Sequence, residues 1–291
     1  MTAHHCTSNV DTTFVTLGYA KVAILGVIQG VTELIPVSSS AHMRAVPALL
    51  GWPDPGAAFS AAMQLAALAA VVTYFWSEIS AVTAGTLRGL IAGDWQNREF
   101  RFGAYILVAT IPVGIAGLAL SHILNECDSP LRTPLLVGAA SFVVAMIMGV
   151  AELVAGHKRS SDEITLTDAI IIGIAQVGAL IPGVSRSGAT FTGAMFLGFK
   201  REDAARVSFL LGIPAIFLAG AKELWELHKV GLPGAGWSIL AVGLVVSSLS
   251  AFAAIWGLMR FLRHSTTWPL VIYRALFGAV LVAAAALHWI G

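Results

Sequence analysis

Residues 29–42 place a carboxylate, three consecutive hydroxyls and an imidazole in one short apolar segment. The polar groups belong to Gln29, Glu33, Ser38, Ser39, Ser40 and His42. Nucleophilic catalysis needs such a set: a hydroxyl, a base that takes its proton and a group that orients the base. The set also suits a hard cation such as Mg²⁺, with Glu33 as an oxygen ligand and Gln29 one helical turn away. Helix capping after Pro36 would explain the serines, but it would not explain Glu33 together with His42.

Residues 182–190 have the composition of a phosphate-binding loop. The run is Pro182, Gly183, Val184, Ser185, Arg186, Ser187, Gly188, Ala189 and Thr190. Glycine lets the backbone approach a ligand, a helix N-terminus attracts an anion, and Arg186 can grip two phosphate oxygens at once. The P-loop signature is absent. The alternative for Arg186 is a structural ion pair or a side chain that reaches out to the membrane surface.

Both segments lie in a chain whose composition suits a bilayer. Of 291 residues, 57% are hydrophobic and 11% are charged, against about 25% charged in a soluble domain. The net charge of +1 provides no basic face for nucleic acid. A short apolar stretch at 80–92 carries Arg88 and is predicted to lie at the membrane interface. Six stretches are predicted to cross the membrane, at residues 58–76, 102–123, 134–155, 203–222, 237–260 and 269–290.

Two further apolar stretches, 18–50 and 167–200, are interrupted in the middle by Pro, Gly and Ser. Proline breaks a helix, and loop backbone cannot face lipid. We therefore predict that each stretch forms a re-entrant helix–loop–helix hairpin, whose break is buried in the protein or lines a water-filled cavity.

The two broken stretches resemble each other, since the GxxQ and LIP motifs that start at Gly26 recur from Gly173. Each half, 18–155 and 167–290, is one hairpin followed by three spans. Three is odd, so the halves have opposite topology, which points to a binding site near the bilayer midplane. The predicted fold is an all-α polytopic membrane protein, with two re-entrant hairpins and six transmembrane helices in an inverted-topology repeat. It forms a single membrane domain over 1–291.

Basic residues predict the orientation of the chain. They put loops 77–101, 156–166 and 260–268 inside, and both termini and the mouth of the first hairpin outside. Residues 1–16 form a polar tail without the features of a signal peptide. Cys6 and Cys127 are predicted to be incidental. Arg274, one turn inside the last span, is either an interfacial anchor or a residue that reaches the site.

The motifs resemble those of a known family, the bacterial undecaprenyl-diphosphate phosphatases of the bacitracin-resistance type. The family's (E/Q)xxxE, PVSSxxH and PGxSRSxxT patterns occur here in order, from Gln29 to His42 and from Pro182 to Thr190. The hydropathy plan agrees over nearly the whole chain. Gln29 occupies a position where many members have Glu, and Ser40-Ala41 replaces the commoner Thr-Gly.

The resemblance implies hydrolysis of undecaprenyl diphosphate to undecaprenyl phosphate and phosphate, with Mg²⁺ or Ca²⁺ as cofactor. It places the protein in the bacterial plasma (inner) membrane, with the active site on the outer, periplasmic side. The product is the lipid carrier for peptidoglycan synthesis, and the activity gives bacitracin resistance. The expected partners are the polyprenyl diphosphate and membrane lipids, with no nucleic acid and with a homodimer left open.

We expect Ser39, His42, Glu33 and Arg186 to be catalytic. Ser39 would attack the terminal phosphorus with His42 as its base, while Glu33 and Gln29 bind the metal or Glu33 orients His42. In a second version His42 is the nucleophile or activates water. A polyprenyl-phosphate flippase or secondary transporter without hydrolysis is the competing function. Further substrate contacts are expected from Gln29, Ser38, Gly183, Ser185, Ser187 and Thr190.

Overall fold

The computed structural model describes residues 11–120, 131 and 133–290. That part of the chain contains eleven α-helices and no β-strand. In chain order the helices are α1 Phe14–Leu34, α2 Ser39–Leu49, α3 Ala57–Tyr74, α4 Trp76–Ala92, α5 Arg98–Ala119, α6 Pro134–Val154, α7 Leu166–Val177, α8 Arg186–Phe196, α9 Arg201–Val230, α10 Gly236–His264 and α11 Trp268–Ala286. The helices long and apolar enough to cross a membrane are α1, α3, α5, α6, α9, α10 and α11. The chain is therefore a multi-pass membrane protein. Cys6 and Cys127 lie outside the described residues.

The six predicted spans are confirmed as helices α3, α5, α6, α9, α10 and α11. The main difference is at the end of α9, which continues to Val230 through residues predicted to form a loop. Those residues carry charges that an α-helix accommodates, such as the Glu226–Lys229 pair at 3.1 Å. The stretch at 80–92 belongs to α4, a helix of 17 residues with Glu78 in its first turn.

The seventh helix of span length, α1, was predicted as one limb of the first hairpin. Gly18 interrupts it with φ 70° and ψ 178°, so its continuous part covers residues 19–34. That part is about 24 Å long, less than the bilayer core of about 30 Å. At the open end of the hairpin, Lys21 lies 5.3 Å from the Trp52 ring. Whether the hairpin is re-entrant stays a prediction.

The second hairpin has short limbs, α7 with 12 residues and α8 with 11. Arg159, in the segment that leads into α7, forms hydrogen bonds with the segment that follows α8. The Arg159 guanidinium donates to the Leu197 carbonyl at 2.9 Å, and the Lys200 amide donates to the Arg159 carbonyl at 2.9 Å. The chain therefore enters and leaves this hairpin on the same side of the bundle.

Helices of one half pack mainly against helices of the other. In the first hairpin α1 lies along α10, and in the second α7 lies along α5. The remaining long helices pair as α3 with α9 and α6 with α11. Exchanging the two halves turns the α1–α10 pairing into the α7–α5 pairing and leaves the α3–α9 and α6–α11 pairings unchanged. Each hairpin is therefore held by a span that belongs to the opposite half.

The repeated glycines make these pairings close. A Cβ on Gly26 would lie 2.9 Å from the Gly243 carbonyl of α10, and one on Gly173 would lie 2.5 Å from the Ala109 carbonyl of α5. Small residues allow such backbone contact between membrane helices. The two glycines of the repeat thus have the same role in the two halves.

Replacing Gly30 by Ala tests this packing. A Cβ there would lie 2.3 Å from the Ser247 carbonyl of α10. This carbonyl is part of the helix backbone, so it cannot rotate out of the way as a flexible side chain could. We expect Gly30→Ala to lower the free energy of unfolding by about 1–3 kcal/mol, measured as a drop in melting temperature in detergent. The matched control is Gly257→Ala on α10, which would meet nothing within 4 Å. Equal melting temperatures for the two variants would contradict the close contact.

Candidate active site

Two helices begin at the site, each preceded by a strained serine. Ser38 precedes α2 with φ 74°, and Ser185 precedes α8 with φ 67°. The serines are 147 residues apart, as are Gly26 and Gly173. A positive φ is unfavourable for a residue other than Gly, and such strain concentrates at functional sites. The sharp turns bring the N-termini of α2 and α8, whose partial charges are positive, toward one place.

Glu33, in the last turn of α1, lies where these N-termini meet. Its Oε2 atom accepts hydrogen bonds from Ser39 Oγ at 2.6 Å and from Gln29 Nε2 at 3.0 Å. Its Oε1 atom lies 3.8 Å from the Arg186 guanidinium. Only 5% of Glu33 is exposed. The residues predicted from the two separate hairpins therefore converge on one buried carboxylate.

Arg186 is the first residue of α8, and its guanidinium has unused donors. One nitrogen, Nη1, donates to the Ser208 carbonyl of α9 at 3.5 Å. The buried Nε and Nη2 atoms have no hydrogen-bond partner in the part of the chain that the structure describes. A Cβ on Gly212 would lie 1.9 Å from Nη1, so this glycine makes room for the guanidinium. Two buried donors without acceptors are the strongest local indication of an anion site.

His42 has both ring nitrogens occupied. Its Nδ1 lies 2.8 Å from the Ser38 carbonyl, which can only accept, so Nδ1 carries the proton. Its Nε2 then accepts from the Tyr273 hydroxyl of α11 at 2.7 Å. The ring stacks on Phe277 with centroids 3.9 Å apart. No hydrogen bond joins His42 to Ser39 among the described residues, so the expected Ser39–His42 pair is replaced by the Ser39–Glu33 pair.

The hydroxyls of the second hairpin hold the loop. Ser185 accepts from the Gly188 amide at 3.2 Å and caps α8. Ser187 donates to the Glu33 carbonyl at 3.0 Å, and Thr190 lies 2.5 Å from Ser208. Ser187 and Thr190 are 1% and 0% exposed. Their side chains therefore position the loop, and their contact with a substrate stays a prediction.

Gly183 is required by two features of the loop. Its φ is 98°, and a Cβ would lie 2.3 Å from the Val137 carbonyl of α6. Its amide donates to Ser40 Oγ at 3.2 Å, and Ser40 in turn lies 3.3 Å from Ser38 Oγ. The loops of the two hairpins are thereby in direct contact.

Arg274 connects the loops more strongly. It is 0% exposed and is therefore not an interfacial anchor. Its Nη1 donates to the Pro36 carbonyl at 2.9 Å, and its Nη2 donates to the carbonyls of Gly183 at 2.9 Å and Val184 at 2.5 Å. Its Nε donates to the Ser141 carbonyl of α6 at 3.2 Å. One guanidinium thus satisfies loop carbonyls that have no helical partner.

The two hairpins contribute different chemistry. The first carries the hydroxyl, the carboxylate and the imidazole, and the second carries Arg186. Gln176, the repeat counterpart of Gln29, is followed by no carboxylate before Pro182. Its amide is buried without a hydrogen-bond partner in the described chain. The pseudo-symmetric fold therefore holds a single asymmetric site.

Several residues of the site escaped prediction from sequence. In the sequence Tyr273 and Phe277 are ordinary residues of a predicted span. Ser208 and Gly212 lie in another apolar stretch, where nothing marks them as part of a site. The polar residues among them contact groups far away along the chain, which local patterns do not reveal. The one available signal was the intramembrane charge of Arg274, beside Tyr273.

The site could hold a cation only together with an anionic ligand. No group of three or more His, Cys, Asp or Glu side chains within residues 11–120, 131 and 133–290 could bind a metal by itself. Glu33 is the one carboxylate described at the site, and Gln29 is hydrogen-bonded to it. Mg²⁺ is commonly held by one or two carboxylates plus phosphate oxygens. The residues present fit that arrangement.

Comparisons with known proteins agree with this arrangement of motifs. A family model described as "Bacitracin resistance protein BacA" matches residues 22–280. Undecaprenyl-diphosphatase 2 of Mesorhizobium japonicum is 59% identical over 263 residues, 90% of this chain and 100% of the relative. The undecaprenyl-diphosphatase of Gloeobacter violaceus is 47% identical over 91% of each chain. That of Synechococcus elongatus is 43% identical over 91% of this chain and 93% of the relative.

Replacing Arg274 by Met tests the connection between the loops. Met has similar length but no donors, so the carbonyls of Pro36, Gly183 and Val184 lose their partner inside the protein. We expect the free energy of unfolding to fall by about 3 kcal/mol or more, measured by thermal unfolding in detergent. The control is Arg88→Met, because Arg88 is exposed and, among the described residues, its side chain bonds only to the Ala84 carbonyl of its own helix. A melting temperature of Arg274→Met equal to that of the control would contradict the role.

Proposed function

The chain belongs to the bacitracin resistance protein BacA family, and from this membership we infer that it is an undecaprenyl-diphosphatase. The enzyme hydrolyses undecaprenyl diphosphate to undecaprenyl phosphate and phosphate. The product is the lipid carrier for peptidoglycan precursors, and its recycling accounts for resistance to bacitracin.

One observation supports this reaction at this site above all. Ser39 donates to Glu33 at 2.6 Å, and the unused donors of Arg186 lie beside the same carboxylate. A hydroxyl bonded to a base, next to a cation with free donors, is the arrangement for nucleophilic attack on a phosphate. The N-termini of α2 and α8 add positive partial charge.

The proposed reaction has two steps. In the first, Ser39 Oγ attacks the terminal phosphorus, Glu33 takes the hydroxyl proton, and the P–O bond to the polyprenyl phosphate breaks. The leaving phosphate keeps the electron pair of that bond, and Arg186 binds the oxygens on which charge accumulates. Glu33 then passes its proton to the departing polyprenyl phosphate and is a carboxylate again. In the second step water attacks the phosphoserine, Glu33 takes a proton from that water and returns it to Ser39 Oγ as the Ser39–phosphate bond breaks, and phosphate is released.

His42 lies beside this pair, held in one orientation by Ser38, Tyr273 and Phe277. Its Nε2 could serve the leaving oxygen only after it exchanges the Tyr273 hydroxyl for a substrate atom. The second version of the mechanism, with His42 as nucleophile or activator of water, requires the same exchange. Attack by Ser39 requires none, because its hydroxyl already contacts a base, and we favour it for that reason.

A divalent cation, Mg²⁺ or Ca²⁺, is part of the proposal. A diphosphate that enters the site meets the Glu33 carboxylate, and two anions at close range repel each other. A bound cation would offset that repulsion and polarise the phosphorus. Gln29 and Glu33 are the residues that would hold it.

The reaction is proposed to take place on the outer side of the plasma membrane. The arginine-rich ends of the spans contact one another on one face, for example through Arg263 and Glu202 at 2.6 Å. The charge rule places this face in the cytoplasm. A homodimer stays a prediction. A flippase or transporter without hydrolysis finds no support in the relatives, whose names describe a diphosphatase.

The inference is tested by phosphate release from undecaprenyl diphosphate by the purified full-length protein in detergent. We expect Ser39→Ala, Glu33→Gln and Arg186→Gln each to reduce kcat/KM by about 100-fold or more. Ser60→Ala on α3, whose hydroxyl donates to the carbonyl of Gly56 just before that helix at 3.1 Å, should retain full activity. Chelation should abolish release, and added Mg²⁺ or Ca²⁺ should restore it. If the unaltered protein releases no phosphate under any of these conditions, the phosphatase function is wrong.

The same preparation identifies the nucleophile. Substrate labelled in the terminal phosphate is mixed with enzyme and quenched, and the labelled peptide is mapped. Phosphoserine survives acid whereas phosphohistidine survives alkali, so the two stabilities separate Ser39 from His42. Label on His42 would overturn the favoured mechanism, and label on neither residue would indicate direct attack by water.

A second prediction concerns Tyr273. Tyr273→Phe keeps the ring but removes the hydroxyl that holds His42, and His42 in turn holds the Ser38 carbonyl next to the nucleophile Ser39. We therefore expect the position of Ser39 to be less well fixed and kcat to fall about tenfold with little change in KM. In a His42→Asn background the same change should have no further effect, because Tyr273 acts through His42. The control is Tyr19→Phe, which removes a hydroxyl bonded to Ser238 at 2.7 Å, far from the site. Additive losses in the double variant would contradict the coupling.

A further inference from the structure

A cavity lies at the arginine-rich face of the bundle, and neither Glu33 nor Ser39 lines it. It has a volume of about 630 Å³ and lies between α4, α5, α9 and the 3₁₀ turn Ser161–Glu163. The mechanism proposed above uses none of its residues. Its charged lining consists of Arg98, Arg101, Arg206, Glu78, Glu99 and two acidic residues of the 3₁₀ turn.

Most of these charges already have partners. Arg206 pairs with Glu78 at 2.8 Å, and Arg98 pairs with Asp162. The Glu163 carboxylate accepts from the Ser160 amide at 2.6 Å. These groups build the wall of the cavity and leave little charge to attract a ligand.

One cationic and one anionic side chain of the cavity lining have no partner of opposite charge in the described chain. Arg101 has no carboxylate partner in the described chain, and it donates only to the Tyr105 hydroxyl, at 2.9 and 3.1 Å. That hydroxyl keeps its own proton for another acceptor. The Glu99 carboxylate has no hydrogen-bond or ion-pair partner among the described residues. The cavity is therefore complementary to a ligand that carries one negative and one positive group.

An apolar groove continues from this cavity into the membrane. It has a volume of about 240 Å³, shares Glu78, Val82 and Phe102 with the cavity, and is lined by α4, α5 and α9. On α9 its lining residues follow Arg206 by four to seven positions, which is about 6–10 Å deeper along the helix. Leu107 lines it and is 60% exposed, so the groove opens toward lipid. A charged cavity that continues into an apolar groove can hold an amphiphile, with the polar headgroup in the cavity and an apolar chain in the groove.

We propose that this cavity and groove bind a zwitterionic phospholipid whose headgroup carries a phosphate and a primary ammonium, as in phosphatidylethanolamine. The phosphate accepts from Arg101 and the Tyr105 hydroxyl. The ammonium donates to Glu99, and one acyl chain lies in the groove. The site is independent of the proposed catalysis, because it shares no residue with it.

The test is native mass spectrometry of the full-length protein, delipidated in detergent and titrated with three phospholipids of identical chains. Phosphatidylethanolamine should bind about threefold more tightly than phosphatidylglycerol, which lacks the ammonium. Phosphatidylcholine should resemble phosphatidylglycerol, because its quaternary ammonium cannot donate a hydrogen bond.

Matched variants assign the contacts. Glu99→Gln should remove the preference for ethanolamine, and Arg101→Gln should weaken all three lipids several-fold. Leu107→Trp, which fills the groove, should reduce lipid binding, whereas Ile115→Trp on the same helix should not. Arg88→Gln is the control for an arginine outside the cavity.

Two results would overturn the proposal: equal binding of the three lipids to the unaltered protein, or equal effects of Arg101→Gln and Arg88→Gln. Either one would indicate only non-specific lipid around the bundle. Phosphate release is measured on the same samples and should be unchanged by Glu99→Gln. A failure of the lipid site is therefore distinguishable from a failure of the phosphatase function.

Discussion

The site depends on the hydrogen bonds that the buried guanidinium of Arg274 donates to the two loops. A break in a membrane helix leaves carbonyl groups without their helical partners, and lipid cannot satisfy them. Arg274 donates to Pro36 in the first loop and to Gly183 and Val184 in the second. The carbonyl dipoles in turn stabilise a charge that would be costly to bury alone. Cation and loops therefore require each other, and the two hairpins are held together at their tips.

That connection explains how a pseudo-symmetric fold supports an asymmetric reaction. The halves provide equivalent turns at Ser38 and Ser185, and each turn is followed by a helix N-terminus. One half places a hydroxyl at its N-terminus, Ser39, and the other places Arg186 there. Glu33 contacts both. A nucleophile with its base and an anion-binding cation are thereby combined between two helix dipoles, in a low dielectric where such groups act strongly.

Much of the fold could be predicted from the sequence because the bilayer imposes simple rules. Length and hydropathy located the six spans, and proline and glycine located the breaks. The role of Arg274 could not be predicted, because one turn inside a span is a position for either an anchor or a buried residue. Its burial follows from the pairing of α11 with α6 and from the loops that lie against it, which are tertiary contacts. The same is true of Tyr273 and Phe277, whose contact with His42 joins opposite ends of the chain.

By itself, the sequence determined the class of protein, the two broken segments and the chemical groups that they carry. Local composition determines these properties, since apolar length selects the bilayer and proline interrupts a helix wherever the chain folds. Only the tertiary structure decided which groups are partners. Ser39 turns back onto the last turn of α1 and bonds to Glu33, while the ring of His42 stacks on α11. Which side chains form hydrogen bonds depends on the direction in which α2 leaves the left-handed turn at Ser38. It also depends on which helices of the opposite half pack against α2.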